Sequence, residues 1–242
     1  MTTKTMLDTF SEFVRTQRDR FETEDNNRFA MAFSKLTRHY QFLLIILGRY
    51  KEASQNFVQN TKDLQASFKP GEHPATEEQV RLQDQGRNLT THLHLEIESF
   101  YLFAKILLDR IAHAIEFYFR AARKLPLDSH DGLVKNLEAY AADKNVKVSP
   151  EIMKAAGELK SGISDHRDYE IAHEKSPRTM FATMYDGKGS TSIASTKLYP
   201  KESDRQAQTE DLHALLTKID DYLTLVVEFI KTNQDKTRLK LE

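Results

Sequence analysis

The sequence predicts an all-α protein organised as an antiparallel helical bundle. Only 8 of its 242 residues are Gly and 6 are Pro, so few positions interrupt a helix. Two long stretches repeat apolar residues at steps of three and four, which is the spacing of one helical face. Helix-capping residues and Pro mark the places where these stretches begin or stop. Together these observations indicate long helices joined by short loops.

The first long helix is predicted from an apolar seam that alternates steps of four and three from Phe29 to Phe68. Such a seam is typical of helices that pack along their whole length, and at 1.5 Å per residue the helix would span roughly 60 Å. A partner of similar length is then required. We interpret residues 1–75 as a long N-terminal helical extension that packs on a bundle formed by residues 76–240.

The second long helix is predicted to follow a break of Pro and Gly at residues 69–75. Thr76 and Gln79 have the spacing of a capping box, in which each side chain accepts a hydrogen bond from the other residue's backbone. The apolar seam of this helix continues to Leu125, just before Pro126. Because a short loop joins the two long seams, we expect the helices to form an antiparallel hairpin.

Three shorter helices complete the predicted bundle of residues 76–240. Capping residues start the first two, namely Asp128 or Ser129, and then Ser149 followed by Pro at the first helical position. A stripe of Leu, Ile and Val defines the last one. The predicted ranges are Ser129 to Lys144, Pro150 to Glu174 and Asp204 to Thr232. Residues 180–199 fit either a small β-hairpin around a Gly-containing turn or a loop.

Composition excludes several classes of protein. Cys is absent, which rules out disulfide frameworks, Cys-ligated zinc and thiol catalysis. The formal net charge of −1 does not favour broad nonspecific nucleic-acid binding, so any RNA contact has to be local. The longest uninterrupted apolar run, Phe42 to Leu47, is far shorter than a membrane span, and the N-terminus lacks a signal-peptide core. We therefore expect a cytoplasmic protein that does not enter a membrane.

No metal or cofactor site is predicted. On a helix, His92 with Glu96 and His94 with Glu98 form two pairs that point about 200° apart, so they cannot share one ion. The sequence also lacks a Gly-rich phosphate loop and a Gly-x-Ser-x-Gly nucleophile motif.

Ionisable residues cluster at the end of the helix that begins at Pro150. The core-facing side of this helix is apolar, and 100° per residue places four ionisable residues within about 60° of the same direction. These residues are His166, Arg167, Glu170 and His173. Desolvated ionisable groups are costly unless they are paired or functional. The helix end is therefore either a satisfied polar junction or a site.

The segment Arg167-Asp168-x-x-Ile171-Ala172-His173 resembles the signature of the HEPN superfamily, in which an aliphatic residue precedes the His. The setting fits as well, because the motif lies at a helix end before Ser176-Pro177, where a helix has to stop. Arg87 with His92 matches the spacing but lies early in a long helix. The resemblance covers roughly the last two-thirds of the chain and implies a HEPN-like four-helix core.

The resemblance further implies a metal-independent endoribonuclease of the toxin or defence type, which cleaves RNA by 2′-OH transesterification. His173 would be the acid/base, Arg167 would stabilise the charge growing on phosphate, and Asp168 would orient the pair. HEPN nucleases build one composite site from two motifs across a two-fold axis, so a homodimer is implied. A small nucleotidyltransferase-like protein encoded by an adjacent gene would be the corresponding antitoxin partner.

Three further basic residues are candidates for binding single-stranded RNA. Lys175 and Arg178 follow the motif and would hold RNA phosphates. Arg110 stands alone among apolar neighbours on the second long helix, where an unpaired guanidinium is costly. The same helix carries a polar stripe that is either a solvated face or the wall of a cleft opposite Arg167. The stripe consists of Glu98, Lys105, Asp109, His113, Glu116, Arg120 and Arg123.

A second interpretation makes the helix end structural. Arg167 would then pair with Glu170 or Glu174, and His173 would cap the helix C-terminus, where a positive charge interacts favourably with the helix dipole. On this interpretation the chain is a catalytically inactive helical interaction or regulatory module of HEPN-like fold.

Overall fold

The helical fold predicted from the sequence is confirmed by a computed structural model of the chain. The residues that the structure describes are 6–18, 20, 21, 23–68, 76–165, 167, 178–186, 189–199 and 212–239. Most of them lie in six α-helices, which are α1 (Met6–Arg18), α2 (Thr23–Ser67), α3 (Glu77–Phe119), α4 (His130–Lys144), α5 (Pro150–Leu159) and α6 (Leu212–Thr232). The HEPN-like arrangement of the four-helix core stays a prediction.

Three smaller elements accompany the α-helices in the described part of the chain. A π-helix, Lys160–Asp165, continues α5, and a 3-10 turn, Gln234–Lys236, follows α6. Strands β1 (Arg178–Asp186) and β2 (Gly189–Tyr199) pair antiparallel as a hairpin, with a register irregularity between Thr179 and Phe181.

The chain forms two compact units. Unit one combines Met1–Leu43, Tyr101–Asp168 and Ala214–Glu242, and unit two combines Leu44–Phe100 and Tyr169–His213. Both long helices therefore contribute one segment to each unit. The separation of residues 1–75, as an extension, from a bundle of residues 76–240 stays a prediction.

Aromatic side chains of α2 and α3 build part of the core of unit one. The Phe29 ring lies 5.3 Å from the Phe117 ring and 5.3 Å from the Tyr118 ring. Farther along α2, the Phe42 ring meets the Phe103 ring edge-on at 5.2 Å. A later residue of α2 thus contacts an earlier residue of α3. The antiparallel arrangement predicted for these two helices is confirmed in this unit.

The rest of the core of unit one comes from α3, α4, α6 and the π-helix. Aliphatic side chains at helical spacing are completely buried there, and each contributes roughly 1.5–3 kcal/mol relative to an exposed position. They include Leu107, Ile111, Leu133, Leu137, Ile163, Ile219, Leu223 and Ile230. The apolar stripes seen in the sequence are therefore the faces that these elements bury.

In unit two, the predicted capping box fixes the start of α3. The Thr76 N–H donates to Gln79 Oε1 at 2.9 Å, and the Gln79 N–H donates to Thr76 Oγ1 at 3.2 Å. Gln79 Nε2 also donates to the Ser67 carbonyl at 2.9 Å, and Asn60 Nδ2 donates to the Leu82 carbonyl at 3.1 Å. Both contacts join a late residue of α2 to an early residue of α3, so the helices are antiparallel in this unit too.

The second long helix ends earlier than the sequence predicts. The structure ends α3 at Phe119, whereas the apolar seam predicts a helix up to Leu125. Arg120 has a left-handed backbone with a φ of 66°, which a right-handed helix cannot include. The Tyr140 hydroxyl donates to the Arg120 carbonyl at 2.5 Å. A tertiary contact therefore holds a bend that the seam does not reveal.

The predicted starts of α2 and of the last helix have different outcomes. The structure begins α2 at Thr23 rather than Phe29 and places a further helix, α1, before it. The buried residues of α1 include Phe10, Phe13 and Val14, which have helical spacing, so the signal for this helix was present in the sequence. The predicted start of the last helix, at Asp204, lies outside the described residues.

Candidate functional site

The segment that leads to Arg167 begins as predicted. Ser149 caps α5, because its Oγ accepts a hydrogen bond from the Ile152 N–H at 3.4 Å, and Pro150 occupies the first helical position. The α-helical pattern then stops at Leu159, and the backbone continues as a π-helix from Lys160 to Asp165. The prediction of one regular α-helix through this stretch is therefore wrong.

The π-helix changes which way the following residues point. A π-turn adds one residue to a helical turn, so each residue after it is rotated by roughly 100° from the direction that a regular helix predicts. Within the π-helix, Ile163 and its neighbour Ser164 are both completely buried. The prediction that Arg167 shares a helical face with Ile152 and Ile163 assumed an uninterrupted α-helix. The structure instead has a π-helix from Lys160 to Asp165.

The predicted catalytic residues are only partly described. Arg167 lies two residues beyond Asp165 in unit one, where its backbone is also π-helical and it is partly buried. His173, Asp168 and Lys175 lie outside the described residues, so their proposed roles stay predictions. Arg178 is the first residue of β1, and its side chain is outside the part that the structure describes.

Arg110 is the predicted substrate-binding residue that the structure shows in most detail. It lies in the part of α3 that belongs to unit one, where it is partly buried. Its Nε is buried and has no hydrogen-bond partner among the described residues. A buried guanidinium N–H without a partner is costly, so this position is unusual for a purely structural residue.

A network of charged side chains, which we call the Lys105 cluster, joins α3, α4 and the π-helix in unit one. Lys105 is buried, and its Nζ donates to Asp131 Oδ2 at 2.7 Å and to Asp109 Oδ1 at 3.1 Å. Lys160 Nζ lies 2.8 Å from Asp165 Oδ1 and 4.0 Å from Asp131 Oδ1. Burial is the largest single influence and opposes ionisation of Asp131, but the hydrogen bond from Lys105 together with the positive charges of Lys105 and Lys160 lowers the pKa of Asp131. The cluster therefore joins two lysines and three aspartates through direct contacts.

The same cluster fixes the start of α4. Ser129 is the N-cap, since its Oγ accepts from the Gly132 N–H at 3.0 Å. Asp109 Oδ1 accepts from the His130 N–H at 2.8 Å. Two carboxylates at a helix N-terminus, from Asp109 and Asp131, also interact favourably with the helix dipole. Side chains from two different helices thus hold this end of α4 in place.

His130 is a buried titratable group beside the cluster. Its side chain is completely buried, and neither ring nitrogen has a hydrogen-bond partner among the described residues. The ring lies 5.6 Å from the Tyr222 ring, edge to face. Burial lowers the pKa of His130 to about 4, and the positive charge of Lys105 acts in the same direction. His130 is therefore neutral near pH 7.

Sequence reasoning missed this cluster. The stripe containing Lys105 and Asp109 was interpreted as a solvated face or as a cleft wall, and the first interpretation is wrong for Lys105, which is buried. The spacing of Lys105 and Asp109, four positions apart, was a usable signal for an ion pair. Nothing local in the sequence pointed to Asp131 as the third member. Within the part of the chain that the structure describes, no three His, Asp or Glu side chains are grouped as a metal site.

The cluster anchors the chain rather than performing chemistry itself. Lys105 and Lys160 are both engaged by carboxylates, and no nucleophile with an adjacent base is found among the five side chains. Asp165 and Lys160, at the two ends of the π-helix, contact each other, and Lys160 lies near Asp131 of α4. Asp131 in turn binds Lys105 of α3. The stretch that delivers Arg167 is held in one position as a result.

A separate groove lies within unit two. It has a volume of about 320 Å³, and the Glu96 carboxylate at its edge accepts a hydrogen bond from Arg49 Nη2. Glu96 is almost completely buried, whereas the Arg49 side chain is 57% exposed. No sequence pattern predicted this groove. It is lined by Arg49, Glu52, Ala53, Asn56, Leu89, His92, Leu95 and Glu96.

Comparisons with family models, with curated proteins and with solved structures found no match to this chain. The HEPN resemblance therefore rests on the short motif between Arg167 and His173. None of the helices in the described ranges has the length and apolar character needed to cross a membrane.

Proposed function

We propose that the chain is a metal-independent endoribonuclease of HEPN type, acting as a toxin or defence nuclease. One observation carries the proposal. Arg167, the first residue of the motif, has π-helical backbone and lies two residues beyond the π-helix Lys160–Asp165, which the Lys105 cluster ties to α3 and α4. Single π-turns inside helices are rare and are frequent at functional sites. Their persistence needs surrounding structure that stabilises them, and the cluster supplies it.

In the proposed reaction, the 2′-OH of RNA attacks the adjacent phosphate. His173 takes up or delivers the proton, because imidazole titrates near neutral pH. Arg167 donates to the phosphate oxygens, and its rigid fork of N–H groups suits the charge that grows on them. Asp168 orients the pair. A guanidinium on an anchored π-helix is held in position before substrate arrives, which favours transition-state stabilisation over flexible binding.

Arg110, Lys175 and Arg178 are proposed to hold the RNA strand. The support for Arg110 is its buried Nε without a described partner, since an anionic ligand would compensate for that cost. Lys175 and Arg178 are proposed as RNA-binding residues because they follow the motif in the sequence.

Cleavage of single-stranded RNA in EDTA tests the proposal. Products should carry 2′,3′-cyclic phosphate and 5′-OH ends, and a 2′-deoxy nucleotide at the scissile position should block the reaction. His173→Ala should lower the rate by roughly 10²–10⁴-fold, the range for one acid/base group. Arg167→Lys should fail as well, because an ammonium does not reproduce the fork of donors.

Arg87 and His92 provide a matched control, because they are an Arg and a His five positions apart on the exposed surface of α3, compared with six positions for Arg167 and His173. The Arg87 side chain is 78% exposed and pairs with Asp84 at 2.9 Å. Arg87→Lys and His92→Ala should leave cleavage unchanged. If the wild type cuts none of the RNAs tested and His173→Ala lowers the melting temperature by several degrees, His173 is structural and the proposal fails.

A homodimer is part of the proposal, because a composite site supplies two titrating His residues for a two-step proton transfer. Solution mass by light scattering measures this directly. We expect a dimer with His173 of each subunit near the two-fold axis. A strict monomer excludes the composite site.

A second candidate is a helical interaction module without catalytic activity. Large apolar side chains on the surface of unit two favour it, since Ile45 is 57% exposed and Leu95 is 53% exposed. Exposed apolar side chains mark contact surfaces where they form a contiguous patch. Stable wild-type protein that lacks cleavage under every condition above would favour this candidate.

A further inference from the structure

The loop between α3 and α4 carries a concentrated positive charge. Residues 120–125 contain three basic residues and no acidic one. Arg120, Arg123 and Lys124 are all exposed, and none of them has an ion-pair partner among the residues that the structure describes. A chain with a net charge of −1 therefore presents a local basic surface in unit one.

The backbone of this loop is held in place by side chains of α4. The Tyr140 hydroxyl donates to the Arg120 carbonyl at 2.5 Å, and Lys144 Nζ donates to the Ala121 carbonyl at 2.9 Å. Burial raises the pKa of Tyr140 above its ordinary range, so its hydroxyl stays protonated as a donor. The basic side chains thus project from a fixed frame rather than from a mobile loop.

The loop backbone is also strained at two positions. Arg120 has a φ of 66° and Lys124 a φ of 152°, and residues with a Cβ rarely adopt these values. Such conformations persist where the surrounding structure stabilises them, and they are enriched at sites that bind ligands. Gly would relieve the strain, yet the chain has basic residues at both places.

A surface depression lies beside the basic side chains. It has a volume of about 590 Å³, within the range of ligand sites. Its lining combines the apolar side chains of Ala122 and Leu125 with Arg123, Lys124 and Asp143. Asp143 Oδ2 lies 3.2 Å from Lys144 Nζ, so this carboxylate is paired with a cation of α4. Basic side chains beside apolar ones suit a ligand that has both phosphates and bases.

We propose that residues 120–125 form a backbone-binding surface for single-stranded RNA, which holds the strand while it is cleaved elsewhere. This inference rests on the proposed function for its choice of RNA. Arg123 and Lys124 would contact phosphates, and neither has to release an acidic partner from the part of the chain that the structure describes. The loop has no large exposed apolar side chain, so it lacks the group that a membrane-inserting loop uses.

The test is binding of a fluorescent 20-nucleotide single-stranded RNA to the full chain, measured by anisotropy in EDTA. The double variant Arg123→Glu/Lys124→Glu should weaken binding at least tenfold in 50 mM salt. The slope of log affinity against log salt concentration should also become less steep by about 1.4, since each phosphate contact to a single strand contributes about 0.7 to that slope. Both side chains are exposed and unpaired in the described structure, so the fold should survive.

A matched control places the same charge change in unit two. Lys51 and Lys62 are exposed on α2, and Lys51→Glu/Lys62→Glu should alter RNA affinity by less than twofold. Equal losses in both double variants would overturn the proposal, because the effect would then be net charge. No RNA binding by the wild type, or loop-dependent binding to anionic lipid vesicles without RNA binding, would also overturn it.

Binding is measured apart from cleavage, so the two proposals can fail separately. RNA that binds through the loop but is never cut leaves the binding surface in place and removes the nuclease. If the wild type does cut RNA, the loop variant should raise KM and leave kcat within about twofold. A loss of kcat alone would contradict a strand-holding role.

Discussion

Lys105 and Asp131 are joined by a 2.7 Å hydrogen bond from Nζ to Oδ2, which connects the middle of α3 to the first turn of α4. Lys105 is buried, while the Asp131 side chain is 41% exposed. The bond therefore compensates a buried cation with a carboxylate at the protein surface. Through Lys160 and Asp165, the same network continues into the π-helix before Arg167.

Replacing the buried cation tests how much this network stabilises the fold. Lys105→Met should lower the free energy of unfolding by about 2 kcal/mol, below the range for fully buried pairs because water screens the two carboxylates. Urea denaturation followed by circular dichroism measures the change. Lys154→Met is the control, since Lys154 is 79% exposed and 3.8 Å from Glu158, and its effect should stay under about 0.5 kcal/mol. Similar losses in both variants would contradict the role given to Lys105.

His130 should make the fold sensitive to acid. Its folded pKa of about 4 lies below the ordinary value of 6.5, so the unfolded chain binds the extra proton first. Its contribution to stability is complete above about pH 6.5 and is lost as the pH falls toward 4. The maximum is roughly 3 kcal/mol, at 1.36 kcal/mol per pKa unit.

His130→Phe isolates this contribution from that of the carboxylates. Neither ring nitrogen has a described partner, so the substitution removes no hydrogen bond that the structure shows. Unfolding by urea at pH 8, 6.5, 5.5 and 4.5 should give a flatter dependence for the variant between pH 6.5 and 4. Parallel curves for both proteins would show that His130 does not titrate in this way.

Features set by local sequence were predictable. The capping box of Thr76 and Gln79 and the caps at Ser129 and Ser149 form the expected hydrogen bonds, because these contacts need only residues three positions apart. The apolar seams likewise predicted α2 and α3. Each seam records a face that must be buried, whatever the partner is.

Features set by tertiary contacts were not predictable. The end of α3 depends on Tyr140, which lies 20 positions from Arg120, and no seam encodes that bond. The π-helix likewise has no simple sequence signature, so the regular α-helical spacing assumed beyond Lys160 was wrong, although Ile163 is buried as predicted. The Lys105 cluster was missed, because Asp131 reaches Lys105 across 26 positions.

Two buried tyrosines should respond oppositely to loss of the hydroxyl. Tyr140 donates to the Arg120 carbonyl, so Tyr140→Phe should lower the free energy of unfolding by about 1–2 kcal/mol. The Tyr222 hydroxyl is buried without a partner among the described residues. Tyr222→Phe should therefore be neutral or stabilising. Thermal and urea unfolding compare the pair, and a larger loss for Tyr222→Phe would contradict the hydrogen-bond assignment.

Two helical glycines in unit two should likewise differ when each is replaced by Ala. A Cβ at Gly48 would meet nothing within 4 Å, whereas a Cβ at Gly86 would lie 3.1 Å from Asn60 Nδ2. Gly48→Ala should raise the free energy of unfolding by roughly 0.5–1 kcal/mol, the usual gain inside a helix. Gly86→Ala should gain less or lose stability, because Asn60 must move away from the Leu82 carbonyl that it binds.

In an Asn60→Ala background that conflict disappears, so Gly86→Ala should recover the full gain. Urea unfolding of the wild type, the two single variants at Asn60 and Gly86 and the double variant measures the coupling between the two positions. A coupling near zero would show that Asn60 does not constrain Gly86.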